Sequence, residues 1–297
     1  MHRLRMLTIA DTRDLLQWLQ RMTTPLARRG LLLFMQVDDP LVPVYIDIAV
    51  DGCAQYATPE SVLAQRLARY LGGRWRYRFI RGLLARRPEE FAEDEIEHLA
   101  AQSYRRLRAA EGAARADDPE DRPRLSAPLQ EALREARDLS IDGFLRFRCG
   151  AWIDDIHSAV GESLDEYLIH REYDEFVDIL RYFLETTPVT PGTVYVVCKG
   201  ASAIGLGEDM SPLDLTAMEQ IALRSETREL HPQDVLMSAL ITRSPEKLVL
   251  VARDPAEVFA QTLARVFAGR LEVWGEGPEC DHLMAAIDNA RPTPYTS

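Results

Sequence analysis

A chain of 297 residues is long enough for two modest domains or one large one and can bury a full core. At 46% apolar and 28% charged it has the composition of a globular protein. Its net charge of −12 argues against nonspecific attachment of the whole molecule to nucleic acid or to an anionic membrane.

Residues 1–108 read as strands followed by helices. "MLTIA" (6–10) is a strand candidate, a helix candidate covers 12–28, and Gly30 introduces "LLLFMQV". In "VYIDIAV", Val44, Ile46 and Ile48 alternate with Tyr45, Asp47 and Ala49, as a half-buried strand requires. Asp38, Asp39, Pro40 and Pro43 interrupt the apolar run 31–50, so no membrane-spanning helix is expected there. The apolar run before Asp11 is too short for a signal peptide, and the cytoplasm is the expected location. Thr58-Pro59-Glu60 supplies an N-cap, a first-position proline and a first-turn acid, opening a helix expected to stop at Gly72-Gly73. Residues 74–108 look helical, in two pieces.

Residues 109–128, rich in alanine, charge and proline, read as a linker or loop. A helical region follows over 129–190. From 191 to 275 the pattern changes to an α/β unit. "TVYVVCK" and "AIGLG" flank Gly200-Ala201-Ser202 as a hairpin, "HPQDVLMSALITRS" reads as helix, and "KLVLVA" and "RLEVW" are strands joined by the helix "PAEVFAQTLARVFA". The joined strands should pair in parallel. Residues 276–297 read as a loose tail. The fold class is α+β: a largely helical centre, a small mixed or parallel α/β unit, and N-terminal strands that are candidates for the same sheet.

The motifs carry little chemistry. Cys53, Cys149, Cys198 and Cys280 lie far apart without a CxxC, which predicts reduced thiols and no zinc site. "GASAIGLG" (200–207) lacks the GK[ST] ending of a phosphate loop. "RWRYRFIR" (74–81) alternates arginine with aromatics, a pattern of single-strand binding proteins. On a helix, however, Trp75, Phe79 and Leu83 share one side, and core aromatics with arginine stems around them explain it. Cys280-Asp281-His282 sets a thiol near an imidazole, with no third member identifiable. No catalytic, cofactor-binding or metal-binding residue is assigned.

The densest stretch is 162–183. One dry side is expected at Ile153, Ile156, Val160, Leu164 and Leu168, and after a phase shift near His170 another at Tyr173, Phe176, Leu180 and Phe183. The shift implies two helices or a bend. Glu162, Glu166, His170, Asp174 and Asp178 form a four-residue ladder that spreads over roughly 160° of the helix, too wide for one ion. A solvated face is the expected reading.

"GFLRFR" (143–148), "LDEYLIHREYDEFVDILRYFLE" (164–185), "DVLMSALITRSPEKLVL" (234–250) and "VFAGRLEV" (266–273), in this order and spacing, resemble the YtxC-like sporulation protein family. The resemblance is clearest over 140–273. It implies an intracellular protein of endospore-forming bacteria, associated with sporulation and without an established catalytic activity. The family pattern often has closely spaced cysteines after the C-terminal strand, where this chain has Cys280 alone. The resemblance favours a non-enzymatic factor that works through an unidentified protein partner, with a homo-oligomer as another option. Its candidate interaction surface is Asp165, Glu166, Tyr167, Glu172, Tyr173 and Glu175, where tyrosine combines a flat apolar body with a hydroxyl. The competing use of these groups is packing against the chain's own arginine-rich helices, expected at 74–87. The alternative function is a small-ligand sensor or enzyme, with its site at the carboxyl ends of the parallel strands near Ala252–Asp254 and Trp274–Glu276. Nucleic-acid binding is disfavoured.

Overall fold

A computed structural model describes residues 2–6, 8–28, 32–39, 44–51, 58–88, 91–112, 123–199, 202–216, 231–254 and 257–289. The fold is α+β, in two compact units, Met1–Leu168 and Ile169–Ser297.

In the first unit β1 (His2–Arg5), β2 (Leu32–Val37), β3 (Ile46–Asp51) and β4 (Asp138–Ser140) form a sheet in the order β2-β3-β1-β4. Strand β1 pairs antiparallel with β3 and parallel with β4. Arg3 lies opposite Asp47 and grips its two carboxylate oxygens at 2.9 and 3.0 Å, which pins that register. Ile46 and Ile48 are buried as their alternation predicts, whereas Val44 lies outside the strand and is exposed. The first strand sits earlier than expected. Thr8 caps α1 (Ile9–Ala27), its hydroxyl accepting the Asp11 amide at 3.1 Å, and this local bond draws Ile9 and Ala10 into the helix.

Thr58 caps α2 (Pro59–Tyr70) as the sequence indicates. The helix does not stop at Gly72-Gly73. A π turn, Leu71–Trp75, carries the chain into α3 (Arg76–Leu84). The wide turn adds a residue to the helical register, and Leu71, Trp75 and Ile80 all stay buried. Helices α4 (Glu93–Gly112) and α5 (Pro123–Glu135) enter the expected linker from both ends, and its remainder lies outside the described residues. After α6 (Ile141–Arg148), Gly150 opens α7 (Gly150–Thr186). Its first half puts Trp152, Ile156, Val160 and Leu164 into a core with Leu4, Leu67, Leu99 and Leu129.

Of the two readings, two helices or a bend, the first is ruled out: α7 runs as one helix through the phase shift. The apolar stripe changes register there because the helix changes partners, its first half packing in the first unit and its second half in the second.

In the second unit β5 (Thr190–Lys199), β6 (Ser202–Leu206), β7 (Pro245–Ala252) and β8 (Leu271–Trp274) form a separate sheet in the order β6-β5-β7-β8, so the N-terminal strands do not extend it. Strands β5 and β6 make the predicted hairpin, whose turn residues 200–201 lie outside the described residues. The parallel pairing of β7 with β8 is also as predicted. Helices α8 (Pro232–Arg243) and α9 (Val258–Val266) cover one face with the second half of α7, through Leu236, Leu240, Leu263, Val177 and Leu184. Residues Pro278–Asn289 of the expected loose tail instead form α10, which covers the other face with Cys280, Leu283 and Met284. These three side chains recur at helical spacing and bury against Val197, Val249 and Val251, which gives the segment the apolar contact that orders it.

Candidate functional site

The six predicted surface residues fall into two groups. In the first unit Arg106 on α4 bonds Glu162 at 2.8 Å and Glu166 at 2.7 Å, and Gln102 adds a bond to Glu166 at 3.0 Å. The Arg106 guanidinium holds the Glu162 carboxyl below its ordinary range, with help from the Ser158 hydroxyl. The Tyr167 hydroxyl donates to Glu95, and Asp165 is exposed. The arginines of 74–81 meet other acids: Arg74 and Arg78 share Asp14, Arg81 contacts Glu93 and Glu97, and Arg76 bonds Glu111. The expected pairing of those arginines with the acids of α7 is therefore replaced by one through Arg106.

In the second unit the Tyr173 hydroxyl meets Thr262 at 2.7 Å, and Arg265 bonds Asp174 at 2.7 Å while lying over the Tyr173 ring. These contacts to α9 fix the rotation of the second half of α7. The line facing the core is Tyr173, Val177, Leu180 and Leu184 rather than Tyr173, Phe176, Leu180 and Phe183. Phe176 and Phe183 are instead exposed with Ile169, Ile179 and Tyr182, each 51 to 65% accessible. Glu172 and Glu175 stand among them, also exposed. Size and apolarity alone favour phenylalanine for the core, and the polar contacts that overrule this come from residues about ninety positions away.

A second feature lies at the carboxyl ends of β5 and β7. A cavity of about 260 Å³ is lined by Cys198 and Lys199 from β5, Arg253 and Asp254 after β7, Glu257 before α9, and Asp281, Met284 and Ala285 from α10. From this point β5 leads to β6 on one side, while β7 leads through α9 to β8 on the other. That divergence is the topological arrangement at which α/β sheets hold ligands. Of the two stretches the sequence points to, Ala252–Asp254 supplies Arg253 and Asp254 to the lining, whereas Trp274–Glu276 supplies nothing.

The cavity's chemistry suits binding. Arg253 and Asp281 are paired at 2.7 Å, and among the described residues no histidine lines the space. Burial, then the charge of Glu257, push the Cys198 thiol up to about 12, so it stays protonated at neutral pH. Cys280 is buried with its sulfur 3.6 Å from the Gly275 carbonyl, while His282 on the same helix is exposed, so the two do not form a thiol–imidazole pair. Among the described residues no helix is long and apolar enough to cross a membrane, and no group of three or more His, Cys, Asp or Glu side chains gathers around a possible metal position.

A sequence model of the YtxC-like family matches residues 61–272. A protein of Bacillus subtilis (strain 168) described as "Uncharacterized protein YtxC" is 27% identical over 148 residues, 49% of this chain and 51% of that protein. The match thus spans about half the length of this curated relative. No solved structure matches. The exposed stripe of α7 lies wholly inside the matched residues, whereas α10, one wall of the cavity, lies outside them.

Proposed function

The chain belongs to the YtxC-like family, and from that premise we propose that it is a non-enzymatic, cytoplasmic protein-interaction factor of sporulation. The observation that carries this reading is the line of Ile169, Phe176, Ile179, Tyr182 and Phe183, all exposed on one helix. Large apolar side chains gathered in one place on a surface mark a contact site. Of the sequence-derived surface, Glu172 and Glu175 stand exposed among these side chains, whereas Tyr173 packs toward the core. Asp165, Glu166 and Tyr167 belong to the first half of the same helix, where Glu166 and Tyr167 are held by α4 and the segment before it.

The test is rescue of a spore-forming host that lacks its own copy. The double variant Phe176→Ser, Ile179→Ser should keep the helical circular dichroism and melting temperature of the parent, because both side chains are exposed. Spore yield should nevertheless fall. Full rescue by this variant overturns the proposal.

The cavity supports a second reading, a small-ligand sensor, because charged groups from β5, the β7–α9 turn and α10 converge on it. A polar metabolite that raises the melting temperature of the parent, and not of Lys199→Ala, would support that reading. Equal shifts in both would remove it.

A further inference from the structure

We infer that the second half of α7 docks a basic amphipathic helix; this rests on the protein-interaction reading and names its partner class. Ile169, Phe176 and Phe183 recur every seven residues with Ile179 between them, a ridge about 21 Å long. That length matches about four turns of a helix laid along it, with the partner's apolar side chains at the spacings of a helix-in-groove contact.

Charge selects among possible occupants. Glu172 lies within the ridge, Glu175 and Asp178 follow one margin, and Glu185 stands at its end, all exposed. Glu172 and Glu185 make no ion pair among the described residues. Of the two arginines on this segment, Arg171 lies 3.9 Å from Glu175, and Arg181 lies 3.9 Å from Asp178 while donating to the Arg265 carbonyl at 2.8 Å, which leaves Glu172 and Glu185 uncompensated. The margin is thus net acidic, on a chain of net charge −12. A second copy would bring Glu172, Glu175 and Asp178 against their own kind, and an anionic lipid surface would meet the same repulsion. A helix that sets lysine or arginine beside a leucine-type ridge satisfies both the apolar line and the acids.

The test uses the full chain and two labelled synthetic peptides about five turns long. One is an amphipathic helix of leucine and lysine, the other the same helix with every lysine replaced by glutamate. By fluorescence anisotropy the lysine peptide should bind and the glutamate peptide should not. Affinity should fall by about tenfold or more in Phe176→Ser, Ile179→Ser and, separately, in Glu172→Lys, Glu175→Lys. Equal affinity in either double variant would mean that the peptide does not read this ridge or its acids, and overturns the inference. So does tight binding of the glutamate peptide, or a dimer in sedimentation that Phe176→Ser dissolves. If the ridge variant fails to rescue sporulation while peptide binding is unchanged, the partner class is wrong and the interaction reading stands. If peptide binding is lost while rescue is complete, the docking is real and the sporulation reading falls.

Discussion

Arg76 is the side chain in this molecule whose place is least expected from its type. It is fully buried, its guanidinium bonded to Glu111 at 2.6 and 3.3 Å, with the Tyr104 ring 4.9 Å from its centre. Its neighbours Arg74 and Arg78 reach the exposed side and share Asp14, to which Tyr70 also donates at 2.9 Å. Burial, with the Asp14 charge behind it, pushes the Tyr70 phenol upward, so it stays a donor throughout the physiological range. A buried guanidinium without its carboxylate is the costly state, whereas an apolar residue of similar length removes both charge and cost. Glu111→Ala should therefore lower stability by about 3 kcal/mol, and Arg76→Met by clearly less. Urea unfolding of the two variants against the parent measures the difference, and equal losses would mean that packing alone sets the value of the site.

At the scale of elements, two glycines carry opposite expectations. Gly205 on β6 leaves no room: an added Cβ would come within 2.5 Å of Leu213 and 2.9 Å of Leu236. Gly73 in the π turn has nothing within 4 Å and lies outside the left-handed region. Gly205→Ala should cost about 1–3 kcal/mol by overpacking, and Gly73→Ala should add about 0.5–1 kcal/mol by restricting the unfolded chain. Thermal melts of the pair read both signs at once. The same segments show what the sequence discloses. Caps and alternation reveal the start of α2 at Thr58, the buried face of β3, the β5–β6 hairpin and the parallel pair of β7 with β8, because each depends on residues close in sequence, whereas the β5–β7 pairing that joins them does not. The π turn was hidden because a glycine pair ordinarily ends a helix. Strand β4 was hidden because three residues carry no period. Of the candidate site, the density of α7 and the Ala252–Asp254 end of the cavity were legible. The outward rotation of Phe176 and Phe183 was not, since Thr262 and Arg265 decide it from far along the chain.

For the molecule as a whole, the balance of charge is unusual in kind as well as in size. Arginine supplies nearly all of the 35 basic residues, the exceptions being Lys199 and Lys247. Arginine forks suit the many two-point contacts to carboxylates described above, such as Arg3 with Asp47 and Arg106 with Glu162 and Glu166. Both lysines lie in the second unit. Lys199 is exposed at the last position of β5, beside the cavity, while Lys247 sits in β7 between two neighbouring strands, its ammonium 2.6 Å from Glu272. An endoprotease that cuts only after lysine therefore has two places to act, one at a hairpin end and one inside a paired strand. Scission after residue 199 needs only the hairpin end to open at the Lys199–Ser202 pair, whereas scission after residue 247 waits for the centre of the sheet to open. The ratio of the two fragments becomes a built-in gauge of how often the second sheet comes apart.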